Sequence, residues 1–350
     1  MPPLSGLAVI DFSTLLPGPM ASLMLAEAGA EVLKIEPPHG DDMRRFPPLV
    51  AGHSAAFAAL NHGKSFLSLD LKAPDALDRL RPHLERADVL IEQFRPGVMT
   101  RLGLGYEAVR AINPRIVYCS ITGYGQSGPR AMEAGHDLNY ISRSGMLGLS
   151  SGGAHPVMPP LLAADIAGGT FPAVINILLA LRQRDVTGEG CHIDIAMADT
   201  PATFAWHGAA SLAATGAVPR DGGELFTGGS PRYRTYPAAD GRLVAVGALE
   251  EKFWQVFCTA IDLPQALRGH DAPVAEVIAA ISATIAAQPA EHWRAVLEPL
   301  DCCVTIVATL DEAMADPQVK ARGVFQHMTT MPDGTQIPRA FVPVAAQFRR

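Results

Sequence analysis

The segment AGHDLNY, Ala134–Tyr140, sets a histidine beside an aspartate behind a glycine, and a lone Asp165 follows in LLAADIAGG. Histidine is the side chain best matched to proton transfer near neutral pH, so these residues could form an acid–base set. Each also has an ordinary structural reading. His136 can be a loop or capping histidine, and Asp137 can cap a helix that starts at Leu138, with Asn139 and Tyr140 in its first turn. Asp165 stands between PPLLAA and the apolar IAGGTFPAVINILLAL, where it can be an N-cap worth about 1 kcal/mol. Its strongly apolar flanks favour a functional role. Gly168 and Gly169 would let a ligand approach the backbone, and a helix N-terminus offers free N–H groups to a developing oxyanion. Glu250, in VAVGALEEKF, reads either as a first-turn helix glutamate or as a carboxylate that orients a histidine. Four basic residues, Lys34, Arg44, Lys64 and Arg95, fall in loops expected to face a ligand. Arg95, in FRPG, directly follows a strand end, and an arginine fork pairs well with phosphate oxygens.

An alternating scaffold must carry these residues. GLAVIDF (6–12) reads as a buried strand, PGPMASLMLAEAGA (17–30) as a helix with proline in its first turn, and EVLKIE (31–36) as a second strand. The order recurs in SLDLK, a helix at 74–86 and DVLIEQF (88–94). It recurs again in a short helix at 106–112 and RIVYCSITGYG (115–125), then in a long helix at about 166–184 and CHIDIAM (191–197). Alternation at these lengths predicts a doubly wound, Rossmann-like α/β sheet. Ligands of such sheets bind beyond the carboxyl ends of the strands, here STLLPGP, EPPHGDD, QFRPG and TGYGQSGP. The first of these loops is not GxGxxG and there is no Walker A sequence, so NAD and FAD have little support.

Composition shifts after about 198. A helical stretch (199–216) precedes the loop PRDGGELFTGGSPRY, and YRTYPAADGRLVAVGAL reads as two strands joined by a turn at Asp240-Gly241. Helices at 250–262, 272–287 and 290–298 follow. The expected division is a large α/β domain at 1–198, a linker at 199–224, a smaller α/β domain at 225–310 and a Pro-containing, extended return segment at 311–350.

The 350 residues suffice for one large or two medium domains, and 48% apolar with 18% charged residues indicates a globular chain. A net charge of −7 without a basic tract argues against nucleic acid as a partner. No stretch reads as a secretory signal or a membrane span. Five cysteines, with no CxxC or zinc-type spacing, fit a reducing cytoplasm and no metal site.

Taken in order, GLAVIDFSTLLPGPMASLMLAEAGAEVLKIEPP, ADVLIEQFRPGVMTRLGLGYE, VYCSITGYGQSGP, AGHDLNYISRSG, PPLLAADIAGG, GGSPRYRTY and ADGRLVAVGALEEKFW resemble the family III CoA-transferases. The α-methylacyl-CoA racemases are grouped in that family. The resemblance covers nearly all of the chain. It implies an interlocked homodimer, in which two chains thread through each other, with an acyl-CoA at the interface. The matching CoA-contact positions are Arg95, Asp137 and Tyr140, together with Lys64. In transferases of the family the aspartate matching Asp165 attacks the thioester and forms a mixed anhydride. In racemases the residues matching His136 and Asp165 are two bases, and the residue matching Glu250 orients the histidine. GHDLNY and GALEEKF look like the racemase version. That version implies epimerisation of a 2-methylacyl-CoA through a thioester enolate, with CoA transfer to a free carboxylic acid as the alternative. Neither reaction requires a metal or a cofactor beyond the CoA of the substrate. One departure stands out: racemases usually carry an asparagine four residues before the catalytic aspartate, and here that residue is Leu161, which takes an orienting partner from Asp165.

Overall fold

The computed structural model describes residues 1–150 and 157–349, which form two compact units. The first holds Met1–Ser144, Pro160–Phe204 and the chain from Pro317 onward; the second holds Ala205–Asp316 and the described part of Gly145–Pro159. This division departs from the expected boundaries. Residues 145–150 and 157–159 belong with the second unit; of the stretch expected as a linker, 199–204 belong with the first unit and 205–224 with the second. A packing contact explains the latter: His207, on the helix Trp206–Thr215, meets the ring of Phe226 edge-on at 4.9 Å.

Six parallel strands build the sheet of the first unit: β1 (Ala8–Asp11), β2 (Glu31–Glu36), β3 (Ser65–Ser68), β4 (Val89–Glu92), β5 (Val117–Thr122) and β6 (Cys191–Ala196), in the order β3-β2-β1-β4-β5-β6. Val9 pairs with Val32 on one side and Val89 on the other, and Val117 pairs with Cys191. β4 and β5 are buried at every position, as strands covered on both faces must be. One face is covered by α2 (Ala76–Arg86) and α3 (Tyr106–Ile112), with Leu80, Leu84 and Val109 against Ile10, Leu90 and Tyr118. Leu80 and Leu84 lie one helical turn apart, so a single face of α2 is apolar. The helices α1 (Pro17–Glu27) and α5 (Phe171–Thr187) pack together, α1 against β1 and α5 against β5 and β6.

Two features of this unit differ from the expected pattern. The long helix begins at Ala163, and its first stretch, Ala163–Thr170, is a π-helix that runs on into α5. The C-terminal segment is not merely extended, because Met328–Thr330 and Gln336–Pro338 pair as an antiparallel hairpin. The combined helix Ala163–Thr187 spans 25 residues and by length and composition could cross a membrane, unlike anything expected from the sequence. Half of its most apolar window is buried within the protein, and Arg184 near its end pairs with Asp88 at 2.9 Å, so it packs as a core helix.

In the second unit β7 (Arg234–Pro237), β8 (Leu243–Val246) and β9 (Val304–Ile306) form an antiparallel sheet in the order β9-β8-β7. The Asp240-Gly241 turn forms as expected: Asp240 Oδ1 accepts the Arg242 N–H at 3.2 Å and Gly241 takes a φ of 79°. The helices α6 (Glu251–Ala260), α7 (Val274–Ala286) and α8 (Ala290–Leu297) contribute Trp254, Phe257, Ile281 and Trp293 to a core shared with Tyr236, Val244 and Val246.

Candidate active site

The chain leaves β1 for β2 and β3 on one side, and β4 lies on the other side of β1. The strand order therefore reverses between β1 and β4, the point where open α/β sheets bind ligands. A cavity of about 410 Å³ opens there, walled by Thr14 and Pro17 after β1, Gln93–Pro96 after β4 and Thr122 and Gly123 at the end of β5. His136, Tyr140, Asp165 and Arg95 all line it. The two groups proposed for proton transfer thus share one cleft.

Asp165 is not an N-cap. It is the third residue of the π-helix, whose N-cap is Leu162. Its backbone is held by Asp137, whose Oδ1 accepts the N–H of Ala164 at 2.7 Å and of Asp165 at 2.9 Å. Those N–H groups are therefore already bonded and are not free for an oxyanion. Burial, and next the charge of Asp137, push the Asp165 carboxyl up to about 6, while His136 pulls it down. Leu161, the departure from the racemase pattern, is 68% exposed.

His136 caps the helix α4 (Asp137–Arg143), and its own N–H donates to Asn139 Oδ1 at 3.0 Å. Its side chain is exposed in the cleft. Tyr140 is buried, donates its hydroxyl to Gly135 O at 2.6 Å and stands edge-on to Tyr124. Burial pushes its hydroxyl up to about 12, so it remains a donor. A Cβ at Gly123 or Gly135 would lie 2.6 Å from the Tyr140 side chain, which is why glycines flank it.

Several expected ligand contacts take other places. Asp137 is the first residue of α4, not its cap, and its buried carboxylate faces the π-helix. Lys64 is buried away from the cleft, where its ammonium bonds Pro19 O at 2.9 Å and Asn61 Oδ1 at 2.8 Å and pairs with Asp11 at 3.4 Å. Lys34 is likewise internal, paired with Asp41 at 3.2 Å, and Arg44 forks onto Glu36 and lies over the Phe57 ring. The reason is common to all three: each cation has a partner within its own unit. Gly168 and Gly169 face protein, not ligand, since a Cβ would come 2.6 Å from Met197 O at the first and 3.0 Å from Met197 Cγ at the second. Glu250 lies on the second unit as the exposed N-cap of α6, with no side-chain cap bond.

Arg95 remains exposed on the cleft wall. Thr14 and Phe94 are shared with a larger cavity of about 940 Å³ beyond the ends of β1 to β3, whose lining includes His39, Lys72 and Arg101. Among the described residues Arg95, Lys72 and Arg101 form no ion pair, in contrast to Arg44, Arg184 and Arg242. Sequence reasoning missed Lys72 and Arg101. Their signal was position, since Lys72 closes the SLDLK segment after β3 and Arg101 ends the short helix after FRPG. No group of three His, Cys, Asp or Glu residues suited to a metal ion occurs among the described residues.

Known proteins resemble the chain over nearly its whole length. The model of CoA-transferase family III matches residues 4–349. The chain is 35% identical to the α-methylacyl-CoA racemase of Homo sapiens over 92% of its own length and 82% of that protein. It is 34% identical to the acetyl-CoA:oxalate CoA-transferase of Acetobacter aceti, over 92% of its own length and 85% of that protein. The crystal structure of a CAIB/BAIF family protein from Brucella suis superposes with a TM-score of 0.81 at 29% identity, covering 98% of this chain and 96% of that one. The chain is a member of CoA-transferase family III, an enzyme of the group that includes both the CoA-transferases and the racemases.

Proposed function

We propose that this enzyme racemises 2-methylacyl-CoA thioesters, with His136 and Asp165 as its two proton-transfer groups. The observation that carries the reading is their presence in one cleft at the strand reversal. One group takes the α-proton, and the C–H electron pair passes into the thioester as an enolate; the other group returns a proton to the opposite face. Asp165, held near 6, is largely ionised at pH 7 yet a stronger base than an ordinary aspartate. The unpaired Arg95, Lys72 and Arg101 are suited to the phosphates of coenzyme A, and the larger cavity to its nucleotide end.

CoA transfer is the second reading, favoured by the near-equal identity to a transferase and by Leu161 in place of an asparagine. There Asp165 attacks the thioester carbonyl and CoA leaves as the thiolate, giving a mixed anhydride. The thiolate attacks the aspartyl carbonyl and releases the donor acid, and an acceptor carboxylate displaces the thiolate from that aspartyl thioester. The thiolate then attacks the acceptor's acyl carbonyl, giving the new acyl-CoA and free Asp165. One experiment separates the two. A 2-methylacyl-CoA is incubated in heavy water without any free acid. Deuterium at the α-carbon supports racemisation; strict dependence on an added acid, with Asp165 captured by hydroxylamine, supports transfer.

We also infer that two copies associate through α5. Ile175, Leu178, Leu179 and Val186 form a row along that helix and are 55%, 43%, 63% and 75% exposed. Such an apolar row on a soluble protein asks for a partner, and a second copy is the occupant the family resemblance implies.

A further inference from the structure

Beneath the cleft, the parallel register sets Glu92 of β4, Ser120 of β5 and Asp194 of β6 side by side on one rung of the sheet. Glu92 and Ser120 are almost wholly buried, at 4% and 1% exposure. Glu92 Oε2 accepts the N–H of Phe94 at 2.8 Å. Asp194 accepts the N–H of Gln126 at 3.1 and 3.0 Å. Phe94 belongs to the segment that carries Gln93 and Arg95 on one wall of the cleft, and Gln126 belongs to the loop that begins with Gly123 on the other. Two carboxylates on one rung thus anchor two ligand-facing loops from below. Glu92 has no cation partner among the described residues. Ser120 hydrogen-bonds to it and lies 2.9 Å from His192 Nε2.

We propose that Glu92 is a positioning residue for ligand binding: ionised, it holds the Phe94 N–H and fixes the Gln93–Pro96 segment, and protonated, it lets that segment and Arg95 relax. The role of Arg95 toward a CoA thioester rests on the function proposed above. Burial, with the charge of Asp194 added, lifts the Glu92 carboxyl to about 7, so both forms are populated near neutrality. The other groups facing this rung do not share that range. Tyr118 and Cys119 of β5, and Tyr106 of α3, are kept protonated by burial. His192 of β6, stacked on Tyr106, is pushed below its ordinary value by burial. Asp194 of β6 is the remaining carboxylate of the rung and acts on Glu92 through its charge.

The test is the affinity for acetyl-CoA, read by calorimetry at pH 6 and pH 8 in wild type, Glu92→Gln and Glu92→Leu. Because only the ionised form is competent, wild type loses up to about tenfold in affinity from pH 8 to pH 6. Coenzyme A itself titrates in this range, and Glu92→Gln, which keeps an acceptor for Phe94 but not the charge, shows only that ligand contribution. Glu92→Leu binds more weakly than wild type at pH 8. An identical pH dependence in wild type and Glu92→Gln overturns the proposal, and so does full affinity in Glu92→Leu. Failure of wild type to bind acetyl-CoA would sink the acyl-CoA reading instead. The anchor is then tested without ligand by the Phe94 amide resonance, which titrates near neutral pH in wild type and not in Glu92→Gln; a resonance that does not titrate in wild type overturns it.

Discussion

Asp137 acts on Asp165 through one oxygen. Its Oδ1 fixes the N–H groups of Ala164 and Asp165, and its charge adds to burial in holding the Asp165 carboxyl near 6. The base form of Asp165 is therefore lost as pH falls through about 6, and the rate of α-proton exchange falls with it, roughly tenfold per unit below that point. D137N keeps an oxygen for both N–H groups and removes the negative charge. The acidic limb of its pH–rate profile moves to lower pH, and a limb that stays where it is in wild type would show that this charge is immaterial. D137A leaves two N–H groups unpaired, at about 1–3 kcal/mol each, and lowers the urea midpoint more than D137N does. The sequence makes Asp165 and His136 visible because a histidine and an isolated carboxylate in apolar company are unusual. It cannot display the inward turn of Asp137, whose partner lies 27 positions away on another helix.

Each helix and strand has its own legibility. β1 and β4 are apolar runs closed by a carboxylate, β2 and β5 are apolar runs interrupted by Lys34 and Ser120, and the structure forms all four where the sequence predicts. β9 is three residues long, too short for any periodicity to register, and the C-terminal hairpin has strands of the same length. The π-helix is equally silent, because its residues read as ordinary helix formers. Buried charge is also hidden in sequence. Lys64 and Asp11 look like surface residues yet are sealed inside, where Asp11 also accepts the Ser13 N–H at 2.8 Å. Lys64→Met leaves a buried carboxylate short of a cation and costs about 3–5 kcal/mol in urea unfolding. Glu92 makes a prediction of the opposite kind. Its carboxyl sits at about 7 against an ordinary 4.5, so between those values the folded state holds a proton the unfolded chain has released. Stability therefore falls as pH rises through that window, by on the order of 3 kcal/mol at most. Relative to wild type, E92Q gains stability between pH 5 and pH 8; a constant difference between the two proteins across that range would contradict the assignment.

For the whole molecule the decisive questions are association and chemistry. Leu179→Arg places a charge in the apolar row of α5, and sedimentation velocity is expected to show a dimer in wild type and a shift toward monomer in the variant. A wild-type protein that sediments as a monomer at micromolar concentration would leave that row without a partner. The chemistry turns on whether His136 and Asp165 work from opposite faces of one carbon. The most direct measurement is deuterium exchange from each pure enantiomer of a 2-methylacyl-CoA, in wild type, His136→Gln and Asp165→Asn. Two opposed bases predict exchange and inversion from both enantiomers in wild type, and in each variant, exchange without inversion from only the enantiomer whose proton faces the surviving base. Loss of exchange from both enantiomers in one variant, with the other variant still fully able to invert, would contradict it.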